Sequence, residues 1–146
     1  MLNWLDDAFT AVNAPKFECL VTGDGQDERS IEIRNLKVWL YQDPSLKWIA
    51  QGLDIGYAVS AGDIEEAKEK FVRGLALSIV VNLQKTGTID SISRPAPPDV
   101  WLKWRRAVRH ADAAGPKRVV SEEQDVVPGL QAPAPRLDVS FYGCPA

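Results

Sequence analysis

"KWIAQGLDIGYAVSAGDIEEAKEKF", residues 47–71, is the stretch on which the fold turns. Two apolar runs, "LKWIAQGLDI" (46–55) and "YAVSA" (57–61), meet at Gly56, the pattern of two short strands joined by a turn. Asp63 follows, with Glu66 three residues later, so an aspartate cap opens a helix whose first turn carries carboxylates. Ile64, Ala67, Phe71, Leu75, Ser78, Ile79 and Leu83 then recur at helical spacing, and Glu65, Lys68, Glu69 and Arg73 fall on the opposite side. The spacing predicts a helix from Asp63 to about Gln84, stopped by Gly87 and lying across a sheet.

Upstream, "SIEIRNLKVWLY" (30–41) alternates with period two but changes phase near Asn35: Ile31 and Ile33 are followed by Leu36, Val38 and Leu40. The slip predicts a bulge or kink in a strand. "QDPS" (42–45) supplies the turn into the next strand, giving three consecutive antiparallel strands ahead of the helix. At the amino end, Leu2, Trp4, Leu5, Ala8, Phe9 and Val12 predict a short amphipathic helix over 2–13. "KFECLV" (16–21) reads as a short strand, and "TGDGQDER" (22–29) as a polar loop.

Downstream, "RPAPP" (94–98) cannot continue a helix and predicts an extended link. Asp99 opens "DVWLKWRRAVRHA" (99–111), where Val100, Trp101, Trp104, Ala107 and Val108 form an apolar stripe against Lys103, Arg105, Arg106 and Arg109. Residues from 117 on are rich in Pro, Ala and Glu and read as a loose tail, in which "RLDVSFYG" (136–143) alternates like a strand able to join a sheet edge.

The 146 residues, 45% apolar and 25% charged, match one ordinary globular domain. Acidic Asp6 and Asp7 stand where a secretory signal carries cations, and "LALSIVV" (75–81) is too short to span a bilayer, so a cytoplasmic protein without a membrane partner is expected. Cys19 and Cys144 lack the spacing of a zinc site or a disulfide framework. Residues 94–118 carry seven basic and two acidic side chains between two acidic segments. Such a block either meets nucleic acid or docks on the chain's own acidic surface.

The run "VWLYQDPSLKWIAQGLDIGYAVSAGDIEEAKEKFVRGLALSI" (38–79) resembles the HicB-like antitoxin domain, with its strand, turn and "W-A-Q-x-L-D" pattern, a Gly-Asp turn and "E-E-A" opening the long helix. "RPAPPDVWLKW" (94–104) is similar to the Ala-Pro segment and aromatic helix that follow this domain in many stand-alone members. The resemblance covers about residues 31–106. It implies an α+β fold, a β-β-β-α-β unit with a three-to-four-stranded antiparallel sheet packed by one long helix, to which this chain adds an N-terminal helix and a C-terminal helix. The expected division is an extension over 1–30, the HicB-like unit over 31–93, a link and basic helix over 94–116, and a tail over 117–146. Residues 107–146 carry no clear DNA-binding motif of the kind many members append, and residues 1–30 have no counterpart in the family domain.

By the same resemblance the chain is a non-catalytic binding protein that neutralises a protein partner, such as a small basic nuclease toxin, by occlusion, and it forms a homo-dimer or higher oligomer. The alternative is a stand-alone interaction or inhibitor module, host or phage encoded, and a weaker one is a metal-dependent nuclease. Asp43, Asp54, Asp63, Glu65 and Glu66 have the type needed for two-metal hydrolysis, yet each is accounted for by a turn, a helix cap or a first helical turn. His110 is the sole histidine and has no nucleophile motif to serve, and "GDG" (23–25) lacks the lysine of a phosphate loop. No catalytic residue, metal or cofactor is therefore assigned. Trp39, Tyr41, Trp48 and Tyr57 are candidate partner-binding residues, either exposed or covered by the flanking helices. Lys103, Arg105, Arg106 and Arg109 are candidate nucleic-acid contacts, with a solvated helix face as the competing reading.

Overall fold

A computed structural model describes residues 16–23, 30–110, 117–121 and 135–143. The helix expected over 2–13 lies outside the described residues. Within them the chain forms an α+β fold with a mixed six-stranded sheet and two helices. The sheet is larger than the three or four strands expected, and it is not purely antiparallel.

Strand β1 (Glu18–Thr22) pairs antiparallel with the first half of the long strand β2 (Ser30–Gln42). The phase change in β2 has a physical origin at Asn35, whose φ of 58° is a left-handed conformation that asparagine tolerates. Asn35 Nδ2 donates to the Lys16 carbonyl at 3.0 Å, which ties the irregularity to the start of β1. Because of this bulge Ile31, Ile33, Leu36, Val38 and Leu40 all face one core despite the break in alternation.

Asp43 Oδ1 accepts from the backbone of Ser45 and Lys47 and from the Ser45 hydroxyl, closing the turn into β3 (Trp48–Gly52). β3 runs antiparallel to the second half of β2, and β4 (Ala58–Ala61) runs antiparallel to β3. The strand expected through Ile55 stops at Gly52. There the chain folds tightly enough that a Cβ on Gly52 would collide with the Ile55 carbonyl oxygen, so Leu53, Asp54 and Ile55 form a buried turn.

Helix α1 (Ile64–Thr86) is capped as its sequence dictates: Asp63 Oδ1 accepts from Glu66 N at 2.8 Å, and Gly87 ends it with φ 76° and a hydrogen bond to the Leu83 carbonyl. Ala67, Phe71, Leu75, Ile79 and Leu83 press onto the sheet, and the Phe71 ring meets Tyr57 and Phe141 edge-on at 5.4 and 6.2 Å. Outward, Lys68 pairs with Glu65, Lys70 with Glu66 and Arg73 with Glu69.

Within the expected tail, residues 117–121 form a strand the sequence did not suggest, and the strand read over 136–143 is present. β5 (Lys117–Ser121) and β6 (Arg136–Tyr142) are both in the sheet, whose order is β4-β3-β2-β6-β5, with β1 beside β2. β6 lies inside the sheet rather than at its edge, parallel to β2 on one side and antiparallel to β5 on the other. Leu137, Val139 and Phe141 are fully buried beneath α1, so this late segment completes the core that the earlier strands begin.

Candidate functional site

The face of the sheet turned away from α1 carries the chain's second core. The extended link behaves as the prolines require: Gly56 N donates to the Arg94 carbonyl and Ala96 N to the Leu53 carbonyl, fastening it along the 53–56 turn. Helix α2 (Pro98–His110) then lays Trp101 and Trp104 on the sheet, 1% and 0% exposed. Trp104 meets Trp101 at 5.7 Å and Tyr142 at 5.2 Å, both edge-on, and Leu53, Ala96, Trp39 and Val100 complete the cluster. Among the described residues the buried Trp104 Nε1 has no hydrogen-bond partner, and the ring is held by its packing against Trp101 and Tyr142.

The four candidate aromatics divide between the two faces, because side chains alternate along a strand. Trp39 and Tyr41, their rings 4.4 Å apart, lie half-buried on the α2 side. Trp48 and Tyr57 pack instead against the α1 core. They therefore make no continuous surface, and Trp39 is partly covered by α2.

Beneath the same face lies a feature that the strand pattern concealed. Lys37, in the middle of β2, is 1% exposed, and its Nζ stands 3.3 Å from Asp54 Oδ2 and donates to the Asn35 carbonyl at 3.0 Å. Asp54 Oδ2 also accepts from Lys37 N at 2.9 Å, and Leu53 N donates to the Lys37 carbonyl. Burial pushes the Lys37 ammonium below its ordinary value and the Asp54 carboxyl above its own, with mutual attraction opposing both. Burial, and then the Asp54 charge, raises the Tyr142 phenol as well. The pair clamps the 53–56 turn to β2 and is closed to solvent. Asp54 was legible as a candidate acid, whereas Lys37 was missed; its signal was a cation between Leu36 and Val38, in the apolar second half of β2.

Toward the other end of this face the charges of Arg34, Glu18, Arg118 and Arg136 are open to solvent, whereas Asp138 is buried. Arg34 joins Glu32 at 3.0 Å and Glu18 at 3.7 Å, and Arg136 approaches Glu32 at 3.9 Å, linking β1, β2 and β6. On β6, Asp138 takes two hydrogen bonds from Arg118, at 2.7 and 2.8 Å. Those bonds hold its carboxyl below the ordinary value, with burial opposing them.

Of the candidate acids, Asp43, Asp63, Glu65 and Glu66 occupy turn, cap and first-turn positions, Glu65 and Glu66 pair along α1, and Asp54, expected as a turn residue, also pairs with the buried Lys37. Among the described residues no three His, Cys, Asp or Glu side chains are arranged to hold a metal ion. On α2, Lys103 and Arg106 are exposed and Arg105 is half-buried, opposite the tryptophans. The side chains of Arg109 and His110 lie outside the described residues. No helix among the described residues is long and apolar enough to cross a membrane.

Compared with known protein families, curated proteins and solved structures, the chain matches none.

Proposed function

We propose that the chain is a non-catalytic, HicB-like binding protein that acts by covering a protein partner. The observation that carries this reading is the order of its elements. Within 31–93, β2, β3, β4 and α1 follow the β-β-β-α part of the order that the sequence resemblance implies; the last strand expected there is absent among the described residues of that unit, and β6, beyond α2 and β5, lies beside β2 instead. Support also comes from the carboxylates, which are engaged in caps, turns and ion pairs rather than gathered at one point. A basic nuclease toxin is the partner class that fits an acidic chain of net charge −3, because opposite charge speeds encounter.

The inserted α2 and β5 favour a second reading, a stand-alone inhibitor module whose specificity resides in the added elements. One experiment separates the two. The tagged chain is used to capture its partner from the native host, and the identified partner is then assayed with increasing amounts of purified chain. Stoichiometric inhibition of RNA cleavage supports the antitoxin reading, and stoichiometric inhibition of a different enzyme supports the module. RNA cleavage by the purified chain itself, dependent on Mg²⁺ or Mn²⁺, overturns both.

A further inference from the structure

We infer, on the basis of the proposed binding function, that Leu46 at the tip of the β2–β3 hairpin is the partner contact: a rigid apolar knob that seats in an apolar socket on another protein. The loop is Pro44-Ser45-Leu46. Leu46 N donates to the Asp43 carbonyl and Asp43 N to the Lys47 carbonyl, both at 2.9 Å, which makes a type I turn followed by one left-handed residue. That residue is Leu46, with φ 70°, at a position where glycine is the usual occupant.

Nothing in the fold asks for a leucine there. Its side chain belongs to neither core and is 71% exposed, more than any other large hydrophobic among the described residues. Of the described non-glycine residues only Asn35 shares a positive φ, which asparagine tolerates and leucine does not. The bonds around the turn hold this strain in place: Asp43 Oδ1 accepts from Ser45 N, the Ser45 hydroxyl and Lys47 N, and Gln42 Nε2 donates to the Leu46 carbonyl at 3.1 Å. A backbone fixed in this way loses little further freedom when its exposed side chain is bound.

Charge narrows the partner to a protein. The hydrogen bonds to Asp43, that of the Ser45 hydroxyl foremost, hold its carboxyl below the ordinary value and so ionised. Asp63 leaves the sheet at the same end, because Trp48 pairs with Ala61. From Asp43 to Asp63 the sequence has one cation, Lys47. Such a tip disfavours phosphate, whether of a nucleic acid or of a lipid headgroup, and one leucine buries too little apolar surface to hold a bilayer. A concave apolar site on a protein matches a convex apolar knob.

Strain and contact can be separated at this one position. Leu46→Gly relieves the backbone and removes the side chain, so it should raise the thermal midpoint by about 2–4 °C while weakening binding about tenfold or more. Leu46→Ala keeps the strain and should weaken binding equally with little change in midpoint. Leu46→Met keeps the apolar body and should bind within about threefold of the parent. Leu77→Ala, at an exposed leucine of α1, should match the parent in both respects. Binding is measured by titrating each purified chain with the protein that the tagged parent chain captures from the native host, and Leu46→benzoylphenylalanine should cross-link that same protein on illumination. A midpoint unchanged or lowered in Leu46→Gly overturns the inference without reference to any partner. A captured protein that Leu46→Gly and Leu46→Ala bind as tightly as the parent does, or a cross-link from position 46 to a second copy of this chain, overturns it and leaves the binding function intact. Failure of the parent chain to capture any protein removes both.

Discussion

Lys37 and Asp54 illustrate how much a single buried charge depends on its partner. Removing either alone leaves the other ionised in a site almost without water, and such losses run to about 3–5 kcal/mol, whereas removing both charges together is far less damaging. Lys37→Met and Asp54→Asn should therefore each lower stability by about that amount in urea unfolding. The double variant should be markedly more stable than the sum predicts, since an asparagine in place of Asp54 keeps an acceptor for the Lys37 backbone. Additive losses would show that the two charges do not interact. Asp138 responds to pH in a definite direction. Its folded carboxyl titrates below the ordinary 3.8 because Arg118 hydrogen-bonds the charged form. Its contribution is therefore fully present above that value and is lost as pH falls through the depressed one. Asp138→Asn should flatten the decline of thermal stability below about pH 4, and an unchanged slope would show that other carboxylates govern acid unfolding.

At the scale of elements, α1 and α2 hold the sheet by different means. α1 is capped at both ends and buries a long apolar row, features its own sequence declares. α2 is short and rests chiefly on Trp101 and Trp104, with the link before it hydrogen-bonded to the 53–56 turn. Trp104→Ala should cost about 3–5 kcal/mol, because the cavity left between α2 and Tyr142 has no side chain ready to fill it. Arg105→Glu combined with Arg106→Glu should leave the unfolding midpoint nearly unchanged. The same double variant reports on nucleic acid: fluorescence anisotropy should detect at most weak binding by the parent chain at physiological salt. Submicromolar, salt-sensitive binding abolished by the reversal would instead assign the outer face of α2 to phosphate contact.

For the whole molecule, the decisive pairing is β6 with β2, which joins segments distant in the sequence, Ile33 with Leu137 and Val38 with Phe141. A chain truncated after residue 116 retains everything in the expected 31–93 unit but loses Leu137, Val139 and Phe141 from the core and Tyr142 from beneath Trp104. It should show no cooperative unfolding transition and should bind dyes that report exposed apolar surface. A truncated chain with a sharp transition near that of the full chain would establish that residues 1–116 fold without β5 and β6.

Local chemistry was enough to read the β2–β3–β4 run, the bulge at Asn35, both ends of α1 and the inward stripe of α2, because caps, turns and apolar periodicity act within a few residues. It could not reveal that "RLDVSFY" enters the sheet's interior, since alternation gives a strand its faces but not its neighbours. Nor could it show that Trp39 and Tyr41 part from Trp48 and Tyr57, or that Lys37 is buried against Asp54. Those outcomes depend on which elements cover which face. Here α1 and α2 take opposite sides of one sheet, and that choice is made by packing between segments distant in the chain.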